Sequence, residues 1–311
     1  MERDMDGNWG WLENPPETMN TDYKNALPGY LTSYDKLLTT AKTRSEFDFV
    51  LALIHHGFDS HSDPFETTKR TFHAIAATQD RLDDYDVEVS IALWLYGHII
   101  EASYPYQIIG DMIGIATGQP HRNPIFAPDK CGGELSPGRK ITEIEDAAKA
   151  AGLKRFVKPL RASWNADLRN AVFHSNYAIV GDNLRLLAVG KTLPVSKVLG
   201  RVNRAIAAFE AFVNVLDVQR SQYTEPIQID TPYYWGSSSG GKVMVVVREG
   251  YGPVAIYDTV GDIDVASPAI VGRLTAQEMT LVNQGVFHLP PRKRPDDITR
   301  STNLKSTEPR P

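Results

Sequence analysis

The sequence predicts a mainly α fold: a helical bundle with a β-hairpin after its most distinctive helix and a small carboxy-terminal β-rich element. Three observations predict it. Apolar residues recur at steps of three and four through much of residues 30–222. Two short apolar runs flank the turn residues Gly181-Asp182-Asn183. After about residue 222 the period switches to two.

The chain has 311 residues, 42% apolar and 23% charged, enough for a sizeable core. A composition this close to the globular average excludes a collagen-like, coiled-coil or wholly disordered chain.

Residues 1–29 read as an irregular extension, with Pro15-Pro16 and Pro28-Gly29 as breakers and Trp9, Trp11 and Tyr23 available to pin it to the body. Thr32 or Ser33 then caps a helix through Leu37 and Leu38, and Ser45 caps one carrying Phe47, Phe49, Val50, Leu53 and Ile54. A third helix covers about 64–82, with Pro64 in its first turn and Phe72, Ile75 and Ala76 facing inward. Residues 86–104 are apolar almost all round, which predicts a helix buried on most of its circumference. Pro105 ends or kinks it, and 107–116 continues as a second short helix.

Prolines and glycines make 118–139 a long irregular loop, after which Thr142, followed by Glu143 and Glu145, caps the next helix. Leu160, Trp164, Leu168 and Val172 mark one amphipathic helix over 160–174. Val198, Val202, Ile206, Phe209, Val213 and Leu216 mark another over 194–220. Between them lies the hairpin of 177–180 and 184–187. In the β-rich element, about 223–288, residues 242–248 and 254–257 read as strands joined by a turn at 249–253. Residues 289–311, proline-rich and polar around Arg292-Lys293-Arg294, read as a disordered tail.

Composition also limits function. With 33 basic and 38 acidic residues the net charge is −5, which argues against a broad basic coat for duplex DNA. A local basic cleft would not show in that sum. The single cysteine, Cys131, makes neither an intramolecular disulfide nor a cysteine-rich zinc site. The most apolar stretch, 87–117, carries Glu88, His98, Glu101 and Asp111, so no membrane span is expected. The amino terminus is acidic and lacks the basic start and apolar run of a signal peptide, and the expected location is cytoplasmic.

The distinctive cluster is Asp167-Leu-Arg169-Asn170-Ala-Val-Phe-His174-Ser-Asn-Tyr177. At about 100° per residue, Asp167, Asn170 and His174 share one stripe of a helix, with Arg169 beside it. A guanidinium holds phosphate, and an imidazole moves protons near neutral pH. The same residues also suit an ordinary helix end: Asp167 in an ion pair, Asn170 capping, and His174 against the carboxy-terminal dipole. Glu101, on the buried helix with His98 and Tyr104, is a natural partner for Arg169 inside the bundle. The helix before His174 adds Arg155, Lys158 and Arg161, a basic strip in an otherwise acidic chain.

The string from Arg169 through Asn170 to His174 resembles the Arg-(polar)-x-x-x-His motif of the HEPN superfamily, small helical domains of microbial defence and toxin systems. The likeness is specific over 165–186 and extends loosely over 85–220, so the expected fold is a HEPN-like helical bundle. The resemblance implies a metal-independent endoribonuclease without cofactor, acting in antiviral defence or stress. It also implies a homodimer in which two Arg/His motifs face each other, with RNA as substrate and an antitoxin or defence-system protein as partner. Carried onto this chain, His174 assists attack of a ribose 2′-hydroxyl or protonates the leaving oxygen. Arg169 binds the phosphate, and Asn170 orients the histidine or substrate. Arg161, Asp167 and Tyr177 are the candidate substrate-binding residues beside the motif. Many HEPN-like proteins are not nucleases, so a dimerisation, nucleotide-binding or regulatory module is the alternative.

Other candidates carry less. His55, His56, His61, Asp63, Glu66 and His73 form a histidine-dense patch whose spacing matches no metal-ligand pattern and reads as a solvated loop. Gly236 to Gly241-Lys242 matches part of a phosphate loop, but Val243 replaces the required Ser/Thr and a strand follows where a helix must start. Cys131 beside Lys130 lacks a local histidine signature for nucleophilic catalysis.

Overall fold

In the computed structural model the described residues are 1–289 except 5, 13–14, 16–18, 56–63, 80–82, 123–124, 131, 236–240, 259–269 and 273–287. The chain forms two compact units, Met1–Gln219 and Arg220–Pro311.

The first unit is mainly helical. Its helices are α1 (Thr21–Arg44), α2 (Glu46–His55), α3 (Pro64–Gln79), α4 (Tyr85–Glu101), α5 (Ser103–Ala116), α6 (Pro137–Ala150), α7 (Lys158–Ser163), α8 (Ala166–Phe173) and α9 (Val195–Ser221). An aromatic cluster from α1, α3, α5 and α9 centres the core. Phe65 stacks on Tyr104 at 4.2 Å, and Phe212 meets Tyr34 edge-on at 5.8 Å. Burying each such ring contributes about 1.5–3 kcal/mol.

Sequence periodicity predicts α2, α3, α4 and α9 to within a few residues. Ser45 caps α2 as expected, its Oγ accepting from the Asp48 amide at 3.3 Å. Asp84 caps α4 by accepting from Val87 N. The helical hairpin pivot lies at Ala102, whose extended backbone ends α4, and Pro105 falls in the first turn of α5, where its missing N–H costs nothing.

Three expectations need correction. Residues 21–29 are helical: α1 begins at Thr21, capped by Asn20 rather than by Thr32 or Ser33, and runs through Pro28 and Gly29, with Ser33 Oγ inside the helix donating to Gly29 O. Proline 28 has no N–H for the Lys24 carbonyl four residues back, and the indole of Trp11 donates to that carbonyl instead, at 3.3 Å. Trp9 completes the strap, its indole reaching the buried Asp35 carboxylate at 3.2 Å, beside Arg3 at 2.8 Å. Arg3, Trp9 and Trp11 therefore pack on α1, and β1 (Glu2–Arg3) pairs β2 (Trp9–Gly10) antiparallel.

Second, α6 starts at Pro137, five residues before the expected cap Thr142. Pro137 sits at the first helical position, pre-set in φ.

Third, 160–174 is two helices. Trp164 is extended, and Asn165 caps α8 by accepting from Leu168 N at 2.8 Å. Tertiary partners satisfy the freed backbone. The Tyr96 hydroxyl donates to Ser163 O and accepts from Asn165 N, both at 3.1 Å, while Arg201 donates to Trp164 O at 2.8 Å. Burial among these groups pushes the Tyr96 phenol up to about 12.

The predicted hairpin is present as β3 (Tyr177–Val180) and β4 (Asn183–Leu186), with Gly181 at φ +51° in the turn. A third strand, β5 (Lys191–Pro194), extends it antiparallel along β4.

The second unit is a sheet around β7 (Lys242–Arg248). It pairs antiparallel with β6 (Ile227–Asp230) and β8 (Gly252–Asp258), and parallel with β10 (His288–Leu289); β8 also pairs β9 (Ile270–Gly272). Val243 and Val245–Val247 are buried. Gly252, at φ +92°, closes the turn: a Cβ there would stand 2.7 Å from the Arg220 carbonyl oxygen. The proline-rich tail from 290 lies outside the described residues.

Among the described residues, no helix is long and apolar enough to cross a membrane.

Candidate functional site

The Arg/His motif occupies α8 and the turn after it. The helix spans eight residues, buries Leu168, Ala171 and Val172, and leaves Phe173 and His174 exposed. Its close approach to α4 depends on Gly97, where a Cβ would come within 3.3 Å of Val172 and Phe173 side-chain carbons.

Arg169 is held on three sides. Its Nε donates to Glu101 Oε1 at 2.6 Å, its Nη1 donates to Asn170 Oδ1 at 3.1 Å, and its guanidinium lies 4.9 Å from the Phe173 ring centre. The Glu101 pairing expected from sequence is thus present, between side chains that are both partly solvent-accessible. Guanidinium and carboxylate compensate each other's charge within one chain, so Arg169 presents direction more than net charge.

His174 is the carboxy-terminal cap of α8. Its amide donates to Asn170 O at 3.1 Å, Ser175 N to Val172 O at 3.2 Å, and Asn176 N to Ala171 O at 2.8 Å. The last two bonds are those of a Schellman motif, with Ser175 in the left-handed position at φ +47° where glycine is usual. Asn176 O then accepts from Leu187 N at 3.0 Å, tying the helix end to the sheet. The exposed imidazole therefore projects from a backbone fixed on both sides.

The flanking candidates separate. Arg161 lies on α7 rather than on the motif helix and sits 3.9 Å from Glu145 on the exposed surface. Asp167 is paired with Lys191 of β5, and Tyr177 opens β3 opposite Leu186. Arg155, Lys158 and Arg161 are exposed, as a basic strip requires, with Arg155 lying 4.7 Å over the Phe156 ring.

Sequence reasoning missed a groove beside the motif. It encloses about 620 Å³ and is lined by Trp94, Gly97, His98, Glu101, Ser103 and Phe173, among others. Arg169 stands at its edge, bonded to one lining residue and stacked on another. His98 Nε2 lies 3.0 Å from Thr68 O. At the α5 end, Ser103 Oγ accepts from the buried Lys140 ammonium and donates to Glu134, both at 2.8 Å, and Lys140 also pairs with Glu134. Partial burial raises the Glu134 carboxyl, but the hydrogen bonds from Lys140 and Ser103 and the Lys140 charge outweigh it and hold it below 4.5. The signal that reveals the groove is Trp94 itself, 60% exposed on a helix whose pattern predicts burial nearly all round.

Of the histidine-dense patch, His56, His61 and Asp63 lie outside the described residues, as do the His55 side chain, Cys131 and residues 236–240 of the glycine-serine stretch. Lys242, where that stretch ends, opens strand β7. Among the described residues, no three His, Cys, Asp or Glu side chains converge as metal ligands.

The chain matches no family model, no curated protein and no solved structure.

Proposed function

We propose that the protein is a metal-independent endoribonuclease of HEPN type, with the Arg169–His174 segment as its phosphodiester site. The observation that supports it is the arrangement just described: a triply held arginine and an exposed histidine five residues on, fixed by a capped helix end beside an open groove. In this reading the ribose 2′-oxygen attacks the adjacent phosphorus as an imidazole takes its proton. The O2′–P bond forms and the P–O5′ bond breaks, leaving a 2′,3′-cyclic phosphate and a 5′-hydroxyl. The departing oxygen needs a proton, and a second His174 from a facing copy of the chain supplies it. Arg169 stabilises the phosphorane charge through a guanidinium already oriented by Glu101 and Asn170, a contribution of about 10²–10³ in rate for one such donor.

The experiment is RNA cleavage in excess EDTA by wild type, Arg169→Ala and His174→Ala. Cleavage by wild type that falls at least a hundredfold, on the order of the donor effect, in both variants is the expected result. An inert wild type, or variants that cut as well as wild type, removes the reading.

One observation favours a second reading, a non-catalytic HEPN-like interaction module. The Arg169–Glu101 bond closes α8 onto α4, which is how a structural ion pair behaves. An inert wild type in which Arg169→Ala lowers the melting temperature or dissociates an oligomer supports that reading. Location in the cytoplasm and service in a defence or toxin system belong to the same proposal.

A further inference from the structure

We propose that the groove between α4 and α8 is a nucleobase subsite: Trp94 and Phe173 flank the flat faces of a base, Glu101 reads donors on its edge, and Arg169 takes the phosphate of the same nucleotide. The inference rests on the reading of Arg169 as a phosphate ligand and extends it to the base.

Four observations converge. Trp94 and Phe173 are 60% and 46% exposed, so two aromatic side chains that normally seek burial instead face an open groove. Its volume of about 620 Å³ falls within the roughly 300–1,000 Å³ of small-molecule sites. Polar groups are few and placed: among the described residues, Glu101 Oε2 and Arg169 Nη2 carry no hydrogen bond while their neighbouring atoms Oε1 and Nε bind each other. Arg169 lies 4.9 Å over the ring of Phe173, a residue lining the groove, which puts the phosphate ligand beside the aromatic wall. Aromatic stacking accepts any base. The carboxylate does not, because it only accepts hydrogen bonds. Its open oxygen favours the edge of guanine, with two adjacent N–H donors, over that of uracil, whose one N–H is flanked by carbonyl oxygens that a carboxylate repels.

The base belongs either to an RNA strand or to a free nucleotide, and the probes separate the two. Short 2′-O-methyl oligonucleotides, G-rich and U-rich, cannot undergo 2′-hydroxyl attack, so binding is read apart from cleavage; guanosine monophosphate is the free-nucleotide arm. Binding is measured by calorimetry for wild type, Trp94→Leu, Glu101→Gln and, as a surface control on α4 outside the groove, Tyr85→Ser. The expected result is G-rich over U-rich preference in wild type, affinity lost by about fivefold or more in Trp94→Leu, preference abolished in Glu101→Gln, and no change in the control. Trp94-dependent binding of the monophosphate alone assigns the free nucleotide, and Trp94-dependent binding of the strand assigns RNA; either keeps the subsite. Wild type that binds neither probe, or a Trp94→Leu variant that binds like wild type, overturns it, and so does a Trp94→Leu variant that changes only oligomeric state. Trp94-dependent binding without cleavage by wild type retains the base subsite and removes the ribonuclease reading, whereas cleavage with Trp94-independent binding does the reverse.

Discussion

Replacing Trp11 with Phe removes one hydrogen bond while keeping a ring of similar character. The indole donates to Lys24 O at 3.3 Å, just beyond the usual 2.7–3.2 Å range of N–H···O bonds, so its net contribution lies in the lower half of the usual 0.5–1.5 kcal/mol. That bond exists because Pro28 cannot donate to the same carbonyl. Pro28→Ala restores the helical donor and removes the ring clash, and α1 should gain about 1–2 kcal/mol after the entropy that proline removes from the unfolded chain is discounted. With the carbonyl satisfied internally, Trp11→Phe should then cost less. The coupling in a double-mutant cycle is expected at about 0.7 kcal/mol, above the roughly 0.3–0.5 kcal/mol within which independent sites add. Urea unfolding followed by far-ultraviolet circular dichroism, with all four proteins measured in parallel, provides the assay. A Pro28→Ala variant no more stable than wild type, or costs of Trp11→Phe that are equal in both backgrounds, would refute the reasoning.

The remaining predictions concern the motif and the charges around it. Glu134→Ala leaves the buried Lys140 ammonium without a carboxylate, with only the Ser103 hydroxyl and the Phe126 ring beside it; it should cost about 2–3 kcal/mol in thermal or urea unfolding, less than the 3–5 of a fully buried pair because Glu134 itself is open to solvent. Since the Glu134 carboxyl is held below its usual value, its contribution is complete above pH 4.5 and fades as the pH falls through the lowered value, and Glu134→Gln should flatten that acid limb. Glu210 has the opposite sign. Burial raises its carboxyl despite the Tyr23 hydroxyl bonded to it and the His73 charge, so its stabilising contribution is present below 4.5 and lost as pH rises through the raised value. Glu210→Gln should therefore raise the melting temperature at neutral pH more than in mild acid. Ser175→Gly should stabilise the chain by about 0.5–1 kcal/mol by relieving the left-handed backbone, while Ser175→Val should destabilise it; equal melting temperatures for the two would contradict the strain argument.

Local pattern was enough for much of this protein. The period-three-and-four spacing of α9, the apolar β-branched runs of β7 and β8, which are buried nearly continuously where a period of two was expected, and the Gly181 turn between β3 and β4 are properties of neighbouring residues, because backbone dihedrals and side-chain faces repeat within a few positions. Ser45 as a cap and Pro64 as a first-turn residue follow for the same reason. The Arg169-to-His174 string, and Glu101 as its partner, were legible as residue types: an acid at the end of a long apolar run, well past Asp86 and Glu88 in the first turn, asks for a base.

Tertiary structure decided what those patterns leave open. Pro28 removes the helical donor to Lys24 O, and the replacement donor, the Trp11 indole, lies outside the helix in a stretch with no periodic pattern. Leu160, Trp164, Leu168 and Val172 keep helical spacing, yet the helix breaks at Trp164 because Tyr96 and Arg201, from two other helices, satisfy the interrupted backbone. The groove arises where α4 and α8 meet over Gly97, with the exposed Trp94 among its lining residues. The sequence by itself thus determined the elements and the motif. The break, the strap and the groove came from hydrogen bonds and packing between residues from 13 to about 75 positions apart, whose free energy has no local signature.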